Sequence, residues 1–495
     1  MITKVKTLAH VGLVVTEVIC ECQIANGLPV FNIVGMADKN IQESKERVRV
    51  VLNELTNYDE KIYYPYSRIT VNLAPAEMVK KGNHYDLAIL IAILEQQGYF
   101  EKLDLTKYFF LGEISLDGSI NRIDNIINYC LFLNEYFPKS IIFLPQENSK
   151  EASYLTNGNI YTVSHINQIL DILKNKSSLL PVAKENLNVE EFFETENSFE
   201  DIIGQKQAKR AVEIATAGGH NLLLVGEQGS GKTLLVRTMQ SILPSLDSDE
   251  LIEVAKIRSL VGLKAKDILS PFRPFRNPHH TSSLVSIIGG GNKITAGEIT
   301  KAHLGILFLD ELTEFNKYTL DSLRQPLEDK IVNIARANST VSYPCNFQLI
   351  ATMNPSSKGS FEKNIKLEAN SGMKKISGPI LDRFDLQVKM FKPKNLNQIP
   401  KDKTTTQELR TRITIATQIQ RKRGVKNSNL NLSQIKTFCV LDEISNTVLE
   451  QFQNDKDLSM RGYHKILRVA RTIADLDNSN NIEYRHVIES LQFKF

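Results

Sequence analysis

The chain has 495 residues, of which 42% are hydrophobic and 23% are charged, and its formal net charge is +4. This composition excludes a disordered or fibrous protein, and the length predicts two or three domains. The charge is nearly balanced and gives only a faint indication of a polyanionic partner, so any surface that binds nucleic acid must be local.

The first residues of the chain and its cysteines indicate in which cellular compartment the protein is expected. The opening MITKVKTLAHVGLVVTEV alternates as a strand does, and the longest apolar run, residues 87–94, is far shorter than the roughly 18–20 residues that span a bilayer. We therefore expect a cytoplasmic protein with no membrane partner. The lack of a C-x-x-C pair argues against a zinc ribbon and predicts reduced, mostly buried thiols at Cys20, Cys22, Cys130, Cys345 and Cys439.

The first part of the chain, residues 1–174, alternates strand and helix patterns and predicts an α/β domain. Residues 16–24 and 68–73 are predicted strands, and residues 40–55 and 85–97 are predicted helices. A polar stretch without sustained periodicity, residues 175–198, predicts a linker.

The second part, residues 199–395, predicts an α/β domain built on a parallel sheet, with short apolar strands at 221–225, 305–309 and 347–351. After a segment rich in Lys, Pro and Thr the pattern becomes helical over residues 406–423, 433–440, 446–452 and 462–476. We therefore expect a small helical lid over residues 396–495.

An eight-residue glycine-rich turn lies between an apolar strand and an apolar-periodic helix, residues 234–242. The pattern is a Walker A loop, in which backbone N–H groups surround phosphates and the helix N-terminus adds a positive field. Lys232 is expected to reach the β- and γ-phosphates of ATP, and Thr233 to bind Mg²⁺. The predicted loop residues are Gly226, Glu227, Gln228, Gly229, Ser230, Gly231, Lys232 and Thr233.

Three polar residues follow two further strands. Asp310 and Glu311 end one strand, which predicts a carboxylate for Mg²⁺ in the ATP site, Asp310, and a base for the attacking water, Glu311. Alone, such a pair is as often a helix N-cap. Asn354 ends the next strand, where its amide is placed to orient the water or the γ-phosphate, although Asn-Pro is also a common turn. Because hydrolysis needs metal, water and γ-phosphate in line, the set predicts an active ATPase.

Longer motifs carry a resemblance that covers nearly the whole chain. They are FNIVGM (31–36), RITVNLAP (68–75), FLGEISLDG (110–118), RPFRNPHHT (273–281), GGG (289–291), AHLGILFLDEL (302–312), LRQPLE (323–328), SGPILDRFD (377–385) and residues 458–476. With the Walker A loop, they look like the ComM/YifB family of magnesium-chelatase-like AAA+ ATPases.

The resemblance implies a homo-hexameric ring with ATP sites between subunits. In it Asn354 is the sensor-1 residue, Arg383 the arginine finger and Arg461 the sensor-2 residue, each stabilising charge on the transferred phosphoryl group. It does not say which arginines act from a neighbouring subunit. The implied function is a DNA motor that drives branch migration of transforming DNA. One departure is NPSSKG, residues 354–359, where the family usually has a cysteine-bearing stretch.

The first domain resembles the proteolytic domain of Lon, which makes a peptidase an alternative. The matched positions of the Ser and Lys of that dyad hold His84 and Ile127. The missing dyad favours a structural or DNA-facing collar. Metal insertion, as by magnesium chelatase, and protein remodelling are further alternatives to the DNA motor.

Local basic segments are the candidates for DNA contact. Residues 273–281 combine arginine, phenylalanine and histidine, which suits phosphates and stacking but equally suits a packed insert. Residues 358–375 and 410–426 are also basic, as solvated helix faces often are. A hairpin predicted to begin at Lys330 would line the ring's pore by resemblance, which makes Lys330 and Arg336 pore candidates.

Overall fold

A computed structural model describes residues 2–100, 103–185, 198–291, 295–336, 339–355, 376–392, 404–456 and 458–493. The chain divides into two compact units: the N-terminal unit, Met1–Asn188 with Leu251–Ser270, and the second unit, Val189–Glu250 with Pro271–Phe495. The division into 1–174, 175–198, 199–395 and 396–495 stays a prediction. Residues 186–197 of the predicted linker lie outside the described residues.

The N-terminal unit contains a mixed sheet, whose described strands lie in the order β3-β4-β2-β1-β5-β6-β7. β1, β2 and β4 pair antiparallel, and the other neighbours pair parallel. These strands are β1 (Thr3–Val11), β2 (Val14–Ala25), β3 (Val30–Val34), β4 (Arg68–Ala74), β5 (Tyr108–Phe110), β6 (Ile141–Pro145) and β7 (Ile160–Val163). The two strands predicted in this part of the chain are confirmed.

Helices pack on this sheet, and the longest apolar run of the chain belongs to one of them. Residues 87–94 lie in α2 and are completely buried, because this helix is enclosed on all sides. The helices in this part of the chain are α1 (Lys39–Leu55), α2 (Asp86–Gln96), α3 (Ile126–Tyr136), α4 (Ser149–Ser153) and α5 (Ile166–Leu173).

The segment 251–270 belongs to the N-terminal unit, although it lies inside the range predicted for the second domain. The backbone N–H of Ile127 donates to Ser259 Oγ at 3.3 Å, and Ile127 packs in an apolar cluster with Ala255 and Ile268. The position matched to the Lon lysine is therefore apolar and covered by the chain itself.

His84, at the position matched to the Lon serine, is a packed core residue. It is 6% exposed, and its Nε2 donates to the carbonyl oxygen of Leu8 at 2.8 Å. The hydroxyl of Tyr129 lies 3.4 Å from the same nitrogen. This position therefore holds no exposed nucleophile, and the structural or DNA-facing role of the domain stays a prediction.

Acid is expected to destabilise the N-terminal unit through His84. Burial lowers the pKa of His84 from 6.5 to about 4. Between pH 6.5 and pH 4, His84 is therefore protonated in the unfolded chain and neutral in the folded chain. Stability is therefore complete above pH 6.5 and falls as the pH drops toward 4, by about 1.4 kcal/mol per pH unit from this group. Urea unfolding followed by circular dichroism at pH 7.5 and 5.5 measures this loss. His84→Asn should make the free energy of unfolding less dependent on pH. An equal pH dependence of the free energy of unfolding in the two proteins would contradict this role of His84.

The second unit contains a parallel sheet in the order β9-β10-β13-β8-β14 among the described residues. β11 and β12 form a separate antiparallel hairpin. The strands are β8 (Leu222–Gly226), β9 (Phe275–Arg276), β10 (Ile306–Leu309), β11 (Ile331–Arg336), β12 (Ser339–Pro344), β13 (Gln348–Met353) and β14 (Leu386–Met390). The residues that follow β8, β10 and β13 consequently meet at one edge of the sheet.

The C-terminal region of the chain is mainly helical, as predicted. Thr405 and Glu408 form a capping box at the start of α15, and Gly424 ends it in the left-handed conformation (φ +74°). The helices are α6 (Lys206–Gly218), α7 (Lys232–Ile242), α8 (Ser248–Leu260), α9 (Ala265–Ile268), α10 (Leu284–Ile288), α11 (Glu298–Lys301), α12 (Lys317–Ser322), α13 (Arg324–Asp329), α14 (Gly378–Leu381), α15 (Thr406–Arg423), α16 (Leu432–Phe438), α17 (Glu443–Lys456), α18 (Met460–Leu476) and α19 (Tyr484–Leu491).

The predicted fold class is confirmed: the chain is α/β, with a parallel sheet in the second unit and a helical C-terminal region. All five cysteines are buried, as predicted. Across the described ranges, no helix has the length and apolar character needed to cross a membrane.

Candidate nucleotide site

The Walker A loop joins the carboxyl end of β8 to the start of α7. Gly229 and Gly231 adopt φ angles of +78° and +89°, which residues with a side chain rarely tolerate. Lys232 is 8% exposed, and its ammonium donates to the carbonyl oxygens of Gly226 and Glu227 at 2.6 and 2.8 Å. Burial lowers the pKa of Lys232, while Asp310 and Glu311 act in the opposite direction. The lysine is thus folded back across the loop in which a phosphate would lie.

Thr233 and Asp310 meet beside this lysine. The Thr233 hydroxyl donates to Asp310 Oδ2 at 3.0 Å, and the Thr352 hydroxyl donates to Asp310 Oδ1 at 2.5 Å. A hydroxyl and a carboxylate at the end of a phosphate loop are oxygen donors of the kind that Mg²⁺ takes together with nucleotide phosphates. The side chains present therefore fit a magnesium ion bound with ATP.

Glu311 stands apart from these contacts. Its backbone has φ +55°, and its N–H donates to the hydroxyl of Thr352 at 3.1 Å. The residue is exposed. A left-handed backbone at a residue with a long side chain is an unusual conformation of the kind found at functional sites.

Asn354 completes the group at this edge. Its side-chain oxygen accepts from the Lys232 ammonium at 3.1 Å, and it follows the carboxyl end of β13 directly. The structure therefore brings together Lys232, Thr233, Asp310 and Asn354, which the sequence predicted for one site. Their catalytic and binding roles stay predictions.

Arg383 and Arg461 lie at the opposite edge. β8 and β14 are parallel, with Leu222 beside Leu386 and Gly226 beside Met390. Arg383 precedes the amino end of β14, whereas the Walker A loop follows the carboxyl end of β8, so at least a strand length of roughly 13 Å separates them. Arg383 therefore cannot contact a phosphate in its own chain's loop without a large rearrangement.

The two arginines share one carboxylate. Nη2 of Arg383 lies 2.7 Å from Glu328 Oε1, and Nη2 of Arg461 lies 2.9 Å from the same oxygen. The Arg383 side chain is 9% exposed and the Arg461 side chain 43%. The finger and sensor-2 candidates thus lie on the same face of the unit.

A cavity of about 610 Å³ lies at this amino edge of the sheet. Its lining carries more cations than acids: Arg273, Lys330, Arg383, Arg421, Lys426, Arg461, Lys465 and Arg468 against Asp247, Asp249, Glu250 and Asp385.

Lys330 lies at the base of the β11–β12 hairpin, in a left-handed conformation (φ +59°), and lines this cavity. The predicted hairpin is confirmed, but its base places Lys330 away from the tip that a pore would meet. The Arg336 side chain lies outside the described residues.

The proposed DNA-contact segments are largely committed to internal contacts. Arg273 donates to the carbonyl oxygens of Pro244 and Leu304 and pairs with Glu250 at 2.6 Å, and Arg276 pairs with Glu298 at 2.6 Å. In the segment 410–426, Arg421 pairs with Asp247, and Arg423 pairs with Asp475. Internal contacts account for Arg273 and Arg276, as the packed-insert interpretation expects, and DNA contact by these segments stays a prediction. The segment 358–375 lies outside the described residues.

Glu328 is the site residue that sequence reasoning missed. It lies in LRQPLE, a motif noted only for its resemblance, and nothing in the spacing of the chain links it to Arg383 or Arg461. Its pairing depends on the contact of α13 with the ends of α14 and α18, which belongs to the tertiary structure.

Three family models match: subunit ChlI of Mg-chelatase over residues 20–148, magnesium chelatase subunit ChlI over 198–398, and the C-terminal part of that subunit over 403–494. The chain is 36% identical to competence protein ComM of Haemophilus influenzae, over 98% of this chain and 96% of that protein. It is 34% identical to uncharacterized protein YifB of Escherichia coli, over 99% and 96%. DNA replication licensing factor Mcm2 of Drosophila melanogaster is 20% identical, over 67% of this chain and 33% of its own length.

Proposed function

This chain belongs to the ComM/YifB family of magnesium-chelatase-like AAA+ proteins, and on that premise we propose that it is an ATP-driven motor acting on branched DNA. The observation that supports ATP hydrolysis best is the meeting of Lys232, Thr233, Asp310 and Asn354 at one edge of a parallel sheet. This arrangement has a phosphate-binding loop, oxygen donors for a metal and an amide beside the γ-phosphate position.

The proposed hydrolysis assigns one task to each residue of this edge. Lys232 binds the β- and γ-phosphates, Glu311 accepts the proton of the attacking water, and Asn354 orients that water. Mg²⁺ held by Thr233 and Asp310 supplies charge neutralisation on the phosphate oxygens. The exposed position of Glu311 leaves it accessible to water before nucleotide and a neighbouring copy close the site.

The second half of the site is proposed to come from another copy of the chain. Arg383 and Arg461 lie together at the edge opposite the Walker A loop, so one copy's arginines complete a neighbour's loop in a head-to-tail arrangement. A closed ring of such contacts, expected to be a homo-hexamer, lets hydrolysis at one interface move the next subunit.

The DNA part of the proposal is supported by the relatives. ComM carries the name of a competence protein, and Mcm2 carries the name of a DNA replication licensing factor. We propose that loops facing the centre of the ring, among them the β11–β12 hairpin, contact the DNA backbone and change position with nucleotide state. Successive hydrolysis events then move a branched junction along the duplex.

Steady-state ATP hydrolysis at low salt, without DNA, with single-stranded DNA and with a four-way junction, tests this function. DNA is expected to stimulate turnover, and the stimulation should weaken steeply as salt rises, because phosphate contacts release counterions. Glu311→Gln protein serves as the blank for contaminating ATPases. Robust hydrolysis at a rate that neither DNA changes would contradict the DNA motor.

Metal insertion is the second candidate, because all three matching family models are named for the ChlI subunit of magnesium chelatase. It predicts that hydrolysis responds to a porphyrin and not to DNA. Adding a porphyrin with Mg²⁺ to the same ATPase assay separates the two candidates.

A further inference from the structure

We propose that Glu328 is a positioning residue that holds Arg383 and Arg461 side by side for a phosphate of the neighbouring copy's ATP. The inference rests on the proposed function and adds to it the group that aligns the two arginines. Neither the sequence motifs nor the relatives' names assign a role to this carboxylate.

The three residues come from three separate segments of the second unit. Glu328 lies in α13, Arg383 lies between α14 and β14, and Arg461 lies in the first turn of α18. One oxygen, Oε1 of Glu328, contacts both guanidinium groups at 2.7 and 2.9 Å. The lid arginine and the core arginine are therefore brought together through a single carboxylate atom.

The charges explain why such a carboxylate is needed. Burial lowers the pKa of Arg383, the nearby Arg461 lowers it further, and Glu328 raises it. Two guanidinium groups within a few ångströms repel each other, and the negative charge of Glu328 offsets that repulsion. Without it, the more exposed Arg461 side chain is free to turn into solvent.

Glu328 leaves donors available for a phosphate. Each arginine gives it one Nη2, whereas a guanidinium carries five N–H donors. The Nε of Arg383 is buried and has no hydrogen-bond partner among the described residues. Both arginines line the cavity at the amino edge of the sheet. The carboxylate can thus stay in place while the arginines bind phosphate.

The test compares Glu328→Gln with Asp329→Asn, which removes the same charge from the adjacent exposed position of α13. Glu328→Gln is expected to lower kcat about tenfold with little change in KM, because the arginines lose alignment in the transition state. Asp329→Asn should hydrolyse ATP like wild type. In an Arg383→Ala/Arg461→Ala background, Glu328→Gln should have almost no further effect, because both groups that it aligns are gone.

A mixture separates a positioning role from general damage to the fold. Glu328→Gln subunits keep an intact Walker A loop, and Lys232→Ala subunits keep an intact arginine face, so mixing them should restore turnover above the sum of the two. Turnover by Glu328→Gln at the wild-type rate would overturn the proposal. Turnover faster than wild type would also overturn it, because the carboxylate would then inhibit hydrolysis. A wild-type protein without ATPase activity would overturn the proposed function first and this inference with it.

Discussion

Glu311→Gln protein is expected to bind ATP about as tightly as wild type and to hydrolyse it at least about 100-fold more slowly, the usual effect of losing a general base. The amide keeps the size and hydrogen-bonding capacity of the side chain but cannot accept the water's proton. Fluorescent ATP-analogue binding and steady-state phosphate release measure the two quantities on the same preparation.

Lys232→Ala is the matched contrast for this variant. It removes the ammonium that contacts Gly226, Glu227 and Asn354, so both nucleotide binding and turnover should fall. Turnover by Glu311→Gln at the wild-type rate would show that another group accepts the proton. Equal loss of binding in the two variants would show that Glu311 holds nucleotide instead.

Arg383→Ala is expected to reduce kcat about 1,000-fold while its own Walker A loop remains intact, which is the size of effect that arginine fingers have on phosphoryl transfer. The reason is geometric: Arg383 and the loop lie at opposite edges of one sheet, so each site needs the arginine of another copy. The measurement is ATP turnover as a function of protein concentration, because the site forms only on assembly.

Mixing Arg383→Ala with Lys232→Ala tests this action between copies. Neither protein has a complete site alone, but an equal mixture should place an intact loop against an intact arginine face at about a quarter of the interfaces of a head-to-tail ring. Arg383→Ala mixed with the Lys232→Ala/Arg383→Ala double variant is the control, since it contains no intact arginine face. Failure of the first mixture to recover activity, when both proteins assemble, would contradict action in trans.

The parts of the molecule that sequence predicts well are determined by neighbouring residues. The Walker A loop is a strand, a glycine-rich turn and a helix in continuous sequence, and it folds so at residues 222–242. The helix Thr406–Arg423 has its predicted bounds because Thr405 and Glu408 cap its start and Gly424 allows its end. Local chemistry carries these predictions without help from distant contacts.

The parts that sequence did not predict depend on distant contacts. Glu328, Arg383 and Arg461 are remote in the chain, and only the tertiary packing of the second unit brings them together. Likewise, the segment 251–270 has an ordinary helical pattern, and its membership of the N-terminal unit follows from contacts such as that of Ile127 with Ala255. Lys330 was predicted to begin the hairpin, but its place in the lining of the cavity follows from the packing of the second unit.

The most direct measurement is movement of a synthetic four-way junction, labelled on one arm, by wild-type protein with ATP and Mg²⁺. The proposed motor predicts resolution into two duplexes that requires ATP and is absent with Glu311→Gln or Arg383→Ala. A protein that hydrolyses ATP, assembles and yet leaves the junction unmoved would contradict the DNA motor.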